Sequence, residues 1–253
     1  MQLHFLRSGN GSPVIILHGL FGMLDNWKTI GKLLETDHSV YLVDQRNHGR
    51  SPHSPEHSFP LMSDDLYQLM VSAGLQKAYI IGHSMGGKTA MQFAVDHPEK
   101  IDKLIVVDIG PKRYPEGHDT IFAAMLSLDP AHIRSRAEAD ALLAKRIDSE
   151  GVRQFLMKNL SRNTDGGYHW KCNLEALKAN YTDHILAAIK SEHPVEVPAL
   201  FIRGEQSDYI PDVDWPAIRE QFPDSQLVTI QGSGHWVHAD QPLAFFRAIS
   251  AYM

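Results

Sequence analysis

Gly82-His83-Ser84-Met85-Gly86 is a G-x-S-x-G pentapeptide set between an apolar, β-prone run, Ala78-Tyr79-Ile80-Ile81, and a stretch with helical apolar spacing through Met91, Phe93, Ala94 and Val95. A serine between such segments is expected at the tip of a sharp strand-to-helix turn, strained in backbone and close to the positive end of a helix dipole. That setting makes Ser84 a candidate nucleophile for acyl transfer. A base is then required, because a serine hydroxyl at its ordinary pKa attacks poorly. His235 stands in Gln231-Gly232-Ser233-Gly234-His235-Trp236, directly after the last β-prone run, and its glycine support favours it over His238, which is expected at solvent or at the start of a helix. Two backbone amides complete the reading as oxyanion donors: Met85, next to the nucleophile, and Leu20 in the small-residue loop His18-Gly19-Leu20-Phe21-Gly22.

The elements that must hold these residues alternate. Gln2–Arg7 and Pro13–Leu17 read as strands joined by the turn signal Ser8-Gly9-Asn10-Gly11, which predicts a hairpin with the first strand at an antiparallel edge. Ser39–Val43, the elbow strand, Lys103–Val107, Ala199–Ile202 and Gln226–Ile230 are further strands. They are separated by helices opening at Asp25 or Asn26, over Ser58–Ala73, after Ser84, over Val213–Gln221 and over Leu243–Tyr252. Between Gly110 and about Glu196 the strand signal vanishes. Helical stretches near 118–128, 137–146, 151–159 and 174–190 are interrupted by Pro130 and by Asn163-Thr164-Asp165-Gly166-Gly167, the pattern of a helical lid inserted between strands. Residues 1–109 and 197–253 would then form the core and residues 110–196 the cap.

Composition narrows the function classes. The 253 residues carry 24 basic and 30 acidic side chains, a net charge of −6 with both signs dispersed, so no nucleic-acid or membrane partner is expected. Met1-Gln2-Leu3-His4-Phe5 lacks the basic and apolar regions of a signal peptide, and the single cysteine, Cys172, excludes an intramolecular disulfide. Both point to the cytoplasm. The 15 histidines form neither an H-E-x-x-H nor an H-x-H cluster, so no metal and no cofactor is expected. Asp44, Arg46 and His48, in the polar loop after the third strand, read as braces for backbone. Phe21, Trp27, Phe122, Phe155, Trp170, Tyr209 and Trp236 are candidates to line an acyl pocket. Phe21 and Trp236 adjoin the motifs and are taken as substrate-binding.

With these residues in place the chain resembles the α/β-hydrolases, and more narrowly the bacterial YbfF-type esterases, over essentially its whole length. The likeness rests on His18-Gly19-Leu20-Phe21-Gly22, Asp44-x-Arg46-Asn47-His48-Gly49, the elbow followed by Gly87-Lys88, Asp108-Ile109-Gly110-Pro111 and Gly234-His235-Trp236-Val237-His238. It implies a mostly parallel eight-stranded sheet with helices on both faces and a cap inserted after the strand ending near Asp108. It also implies hydrolysis of short-chain acyl esters, acyl thioesters included, through a Ser-His-Asp triad and an acyl-enzyme. The same triad serves C–C bond hydrolases and perhydrolases, and some relatives are slow-turnover ligand receptors; these are the alternatives.

The acid has two claimants. Many α/β-hydrolases place it in a G-x-x-D-x-x-V-P stretch, but here Gly204-Glu205-Gln206-Ser207-Asp208-Tyr209-Ile210-Pro211 puts Ser207 at the aspartate position and Asp208 one residue off. Asp108, at a site some family members use instead, is therefore assigned to His235, with Ser207 adding a hydrogen bond. The plainer role for Asp108 is a helix N-cap.

Overall fold

Seven β-prone segments pair into one sheet in a computed structural model that describes residues 1–164 and 166–253. They are β1 (Phe5–Ser8), β2 (Ser12–Leu17), β3 (His38–Val43), β4 (Ala78–His83), β5 (Ile101–Val107) and, after a short two-stranded ribbon of β6 (Leu160–Arg162) and β7 (Tyr168–Trp170), β8 (Ala199–Gly204) and β9 (Ser225–Ile230). The order is β1-β3-β2-β4-β5-β8-β9, parallel except for β1. The expected eight strands are thus seven in the main sheet. The sequence carries seven segments with a sheet pattern, and the residues before Ser12 supply one short edge strand.

The expected β1–β2 hairpin does not form. β1 runs antiparallel to β3, with Phe5 opposite Val43, while β2 lies parallel between β3 and β4. Two left-handed glycines carry the connection over the start of β3: Gly9 has φ 71°, and a Cβ there would sit 2.2 Å from the His38 carbonyl oxygen. β2 is apolar on both faces from Val14 to Leu17 and so takes a central place, whereas half-exposed β1 fits the edge.

Alternate residues of each inner strand feed two cores. Val14, Ile16, Ile81 and Ile105 meet α1 (Lys28–Leu34), while Ile15, Leu17, Ile80 and Leu104 meet α2 (Phe59–Ser72) and α3 (Met85–Asp96). Between β5 and β8 the chain forms α4 (Asp119–Leu126), α5 (Arg136–Leu143), α6 (Glu150–Met157), the β6–β7 ribbon, α7 (Leu174–Ala179) and a wide, π-type turn over Tyr181–Ile185. The ribbon corrects the expectation of a strand-free insertion; three-residue strands are too short to register as a period. Asp165, part of the turn signal read at 163–167, lies outside the described residues. The last helix of the insertion also ends early, at Ala179 rather than near Lys190. α8 (Trp215–Gln221), α9 (Val237–Asp240) and α10 (Pro242–Tyr252) complete the chain.

The insertion leaves and rejoins the sheet side by side. The Ile189 amide donates to the Pro111 carbonyl at 2.7 Å, and the Tyr114 amide to Leu186 at 3.1 Å. From α3, the Lys88 ammonium donates to the carbonyls of Lys112 (2.8 Å), Leu186 (3.3 Å) and Ala187, fastening both ends. Lys88 is only 2% exposed, and burial, with the nearby Arg113 charge, lowers its pKa to about 7.

Candidate active site

Ser84 caps α3 with φ 53° and ψ −119°, a conformation costly for any side chain, and it lines both cavities described below. The flanking glycines are sterically required: a Cβ on Gly82 would lie 2.2 Å from the Gly86 carbonyl oxygen, and one on Gly86 2.5 Å from that of Leu17. The Ser84 amide is tied to the Val107 carbonyl at 3.0 Å, so β5 fixes the height of the turn.

Asp108 also has a left-handed backbone, φ 52°, as the chain leaves β5, and its side chain is fully buried. His235 Nδ1 donates to Asp108 Oδ2 at 2.7 Å. Ser207 Oγ donates to the same oxygen, and the Gly204 amide to Oδ1 at 3.0 Å. Three donors satisfy a carboxylate that would otherwise be expensive to bury. Among the described residues Asp208 makes no such contact; it lines a cavity wall instead. With Nδ1 donating to the carboxylate, Nε2 is the nitrogen left to accept a proton.

The His235 ring and backbone have further partners. Tyr209 stacks on it at 3.9 Å between centroids and 17° between planes, and His83 Nε2 donates to the His235 carbonyl at 2.8 Å. Burial drives the His83 pKa well below 6.5, aided by the neighbouring His235 and His238, so His83 is a neutral strut. Of the two positions expected for His238, the structure gives the start of a helix, the first turn of α9, and not solvent. It is buried within α9 and stacks on Trp27 at 3.9 Å between centroids.

The loop after β2 is locked from below. Phe21, left-handed at φ 58°, donates its amide to His48 Nε2 at 3.3 Å, while His48 Nδ1 donates to the Arg46 carbonyl. The Phe21 amide is thus taken, while Leu20 lines both cavities beside Ser84. The Met85 amide belongs to the first turn of α3 and has no intrahelical acceptor. Asp44 accepts from the Leu24 and Arg50 amides, and Arg46 from the same loop pairs with buried Asp65 at 2.6 Å. Arg46 also donates to the Glu56 and Leu61 carbonyls, so Asp44, Arg46 and His48 all brace backbone.

Ser84 sits where two cavities meet, sharing Leu20, His118 and Ile121 between them. One, about 190 Å³, is lined by His235 with Phe21, Trp27, Phe155 and Trp236. The other, about 450 Å³, runs under the insertion past Ile109, Tyr114, Tyr181 and Tyr209. Of the remaining aromatic candidates, Phe122 is core and Trp170 lines a separate surface depression. Among the described residues no group of acidic, histidine or cysteine side chains is arranged to hold a metal ion, and no helix is long and apolar enough to cross a membrane.

Three residues near the site escaped sequence reasoning as contributors, His83, His118 and Asn159, while Tyr209, a pocket candidate, proves also to stack on His235. His83 lay inside the elbow motif, but His118 and Asn159 fall in the insertion, where no motif marks them.

Comparison with known proteins shows the family to which this fold belongs. Residues 12–242 match the family model described as alpha/beta hydrolase fold. The chain is 39% identical to Esterase YbfF of Escherichia coli, covering 96% of this chain and 94% of that one. It is 38% identical to the sn-1-specific diacylglycerol lipase ABHD11 of Mus musculus, over 95% and 80%. A solved marine microorganism esterase superposes with a TM-score of 0.97 at 46% identity, covering 100% of this chain and 99% of that one.

Proposed function

The chain belongs to the α/β hydrolase fold family as an esterase/lipase-type carboxylic ester hydrolase, and we propose that it cleaves short-chain acyl esters, thioesters among them, through a Ser84–His235–Asp108 triad. The observation that carries this reading is the 2.7 Å bond from His235 Nδ1 to Asp108 Oδ2 beside a strained Ser84.

Ser84 Oγ attacks the acyl carbonyl as His235 Nε2 takes its proton. The Leu20 and Met85 amides hold the oxyanion, and losing one such donor typically costs about 10²–10³ in rate. The imidazolium then gives its proton to the departing alcohol or thiol, leaving Ser84 acylated. Water, activated by the same histidine, releases the acid. Asp108 keeps Nδ1 protonated and stabilises the transient imidazolium, while Ser207 orients the carboxylate. Residues 110–196 act as a cap that roofs both cavities, with Phe21 and Trp236 contacting substrate.

The test is steady-state hydrolysis of p-nitrophenyl esters from acetate to octanoate. Wild type should turn over the short members, and Ser84→Ala, folded by circular dichroism, should lose that activity. Turnover by Ser84→Ala within a few-fold of wild type would overturn the assignment.

A further inference from the structure

Among the polar side chains of the insertion that line the cavities beside Ser84, only His118 among the described residues lines both. His118, immediately before α4, lines both cavities together with Ser84 and Leu20. Its Nδ1 lies 2.6 Å from the Tyr181 hydroxyl, and that hydroxyl also accepts from the Gly117 and His118 amides, each at 3.2 Å. A phenol oxygen has two lone pairs and one proton. With both lone pairs engaged by amides, the proton is what joins Tyr181 to Nδ1. Nδ1 is therefore the acceptor, and the ring proton of the neutral imidazole sits on Nε2.

The ring is neutral because burial lowers its pKa, the nearby His235 adding to the effect. It is also wedged by aromatic neighbours, with Phe21 at 6.2 Å and Tyr181 at 5.6 Å between centroids. Among the described residues Nε2 has no protein acceptor. The insertion thus holds an N–H whose tautomer is set by Tyr181, on a ring that lines both cavities beside Ser84.

We infer that His118 Nε2–H donates to a second oxygen of the substrate close to the scissile ester, so that the preferred substrates are oxygenated esters rather than plain alkyl ones. This rests on the serine-esterase reading. Such a donor is left unpaired when an alkyl ester occupies the cavity, and this sets the preference.

Isosteric pairs test it, since an ether oxygen and a methylene occupy nearly the same space. On the acyl side, kcat/KM is compared for p-nitrophenyl methoxyacetate and p-nitrophenyl butanoate. On the alcohol side, it is compared for 2-methoxyethyl acetate and butyl acetate. Taking the ratio within each pair, and comparing it between variants, cancels intrinsic reactivity. His118→Phe should lower the oxygenated-to-alkyl ratio by about three- to tenfold in one of the pairs, as expected for one lost hydrogen bond; that pair assigns the side. His118→Gln keeps an N–H and should restore part of the ratio. Tyr181→Phe, which leaves His118 in place but frees its tautomer, should give an intermediate fall and serves if His118→Phe does not fold. A merely structural His118 would move both members of a pair together. Ratios unmoved in both pairs, with all four esters still hydrolysed, overturn the inference alone. No hydrolysis of any of them by wild type overturns the esterase reading and this inference with it.

Discussion

The side-chain amide of Asn159 donates to the Phe21 carbonyl at 2.6 Å, joining the segment after α6 to the loop that carries the Leu20 amide. Asn159 is fully buried, and Phe21 is held in a left-handed conformation that the loop alone would not favour. The insertion therefore fixes the shape of the proposed oxyanion loop as well as covering it. Asn159→Ala should lower kcat about tenfold with KM little changed, because the donor is displaced rather than removed. A rise in KM at constant kcat would mean that Asn159 shapes only the pocket.

The acid assignment is separable by substitution. Asp108→Asn should cut turnover by about 10³–10⁴, the loss expected when the histidine loses its charged partner. Ser207→Ala should cost far less, and Asp208→Asn least. A crippled Asp208→Asn beside a mild Asp108→Asn would reverse the assignment.

Cavity dimensions set the chain-length profile. Val152 lines the cavity of about 190 Å³ that also holds Phe155 and Trp236. Val152→Phe fills part of that space and should shift the optimum among p-nitrophenyl esters toward shorter chains. Ile185→Phe, in the larger cavity, is the matched comparison. The substitution that shortens the profile identifies the lobe that holds the acyl chain, and an unchanged profile in both would place the chain elsewhere.

Acid should unfold the protein through its buried histidines. Burial lowers the pKa of His57 to about 3, with the Arg46 charge adding to the shift; burial does the same for His238, with His235 adding. In the unfolded chain each returns to about 6.5. The folded-state values are the lower ones, so this stability is present above pH 6.5 and is lost as pH falls toward 3. By linkage each histidine removes about 2 kcal/mol between pH 8 and pH 5. Urea unfolding at both pH values measures the loss, and His57→Gln should reduce it. Equal unfolding free energies at pH 5 and pH 8 would refute the idea.

What the sequence alone determined was local. The apolar runs, the glycines at 82 and 86 and the serine between them mark a strand–turn–helix. At Gly82 the reason is local, because a Cβ there would meet the Gly86 carbonyl four residues on, whereas the room needed at Gly86 is set by Leu17 and His18 at the end of the neighbouring strand. The alternating strands and helices likewise specified the parallel sheet, and the motif loops brought forward Ser84, His235 and Asp108. The hairpin was misread because strand pairing is not local: β1 and β2 are close in sequence, yet the doubly apolar β2 belongs at the centre and β1 at the edge. Only the tertiary structure decided that Asp108 meets His235 across 127 residues, that Asn159 reaches Phe21 across 138, and that Tyr181 sets the tautomer of His118 across 63. Those contacts depend on how the insertion packs over the sheet, and its short helices bury their apolar faces without leaving any spacing in the sequence that names the partner.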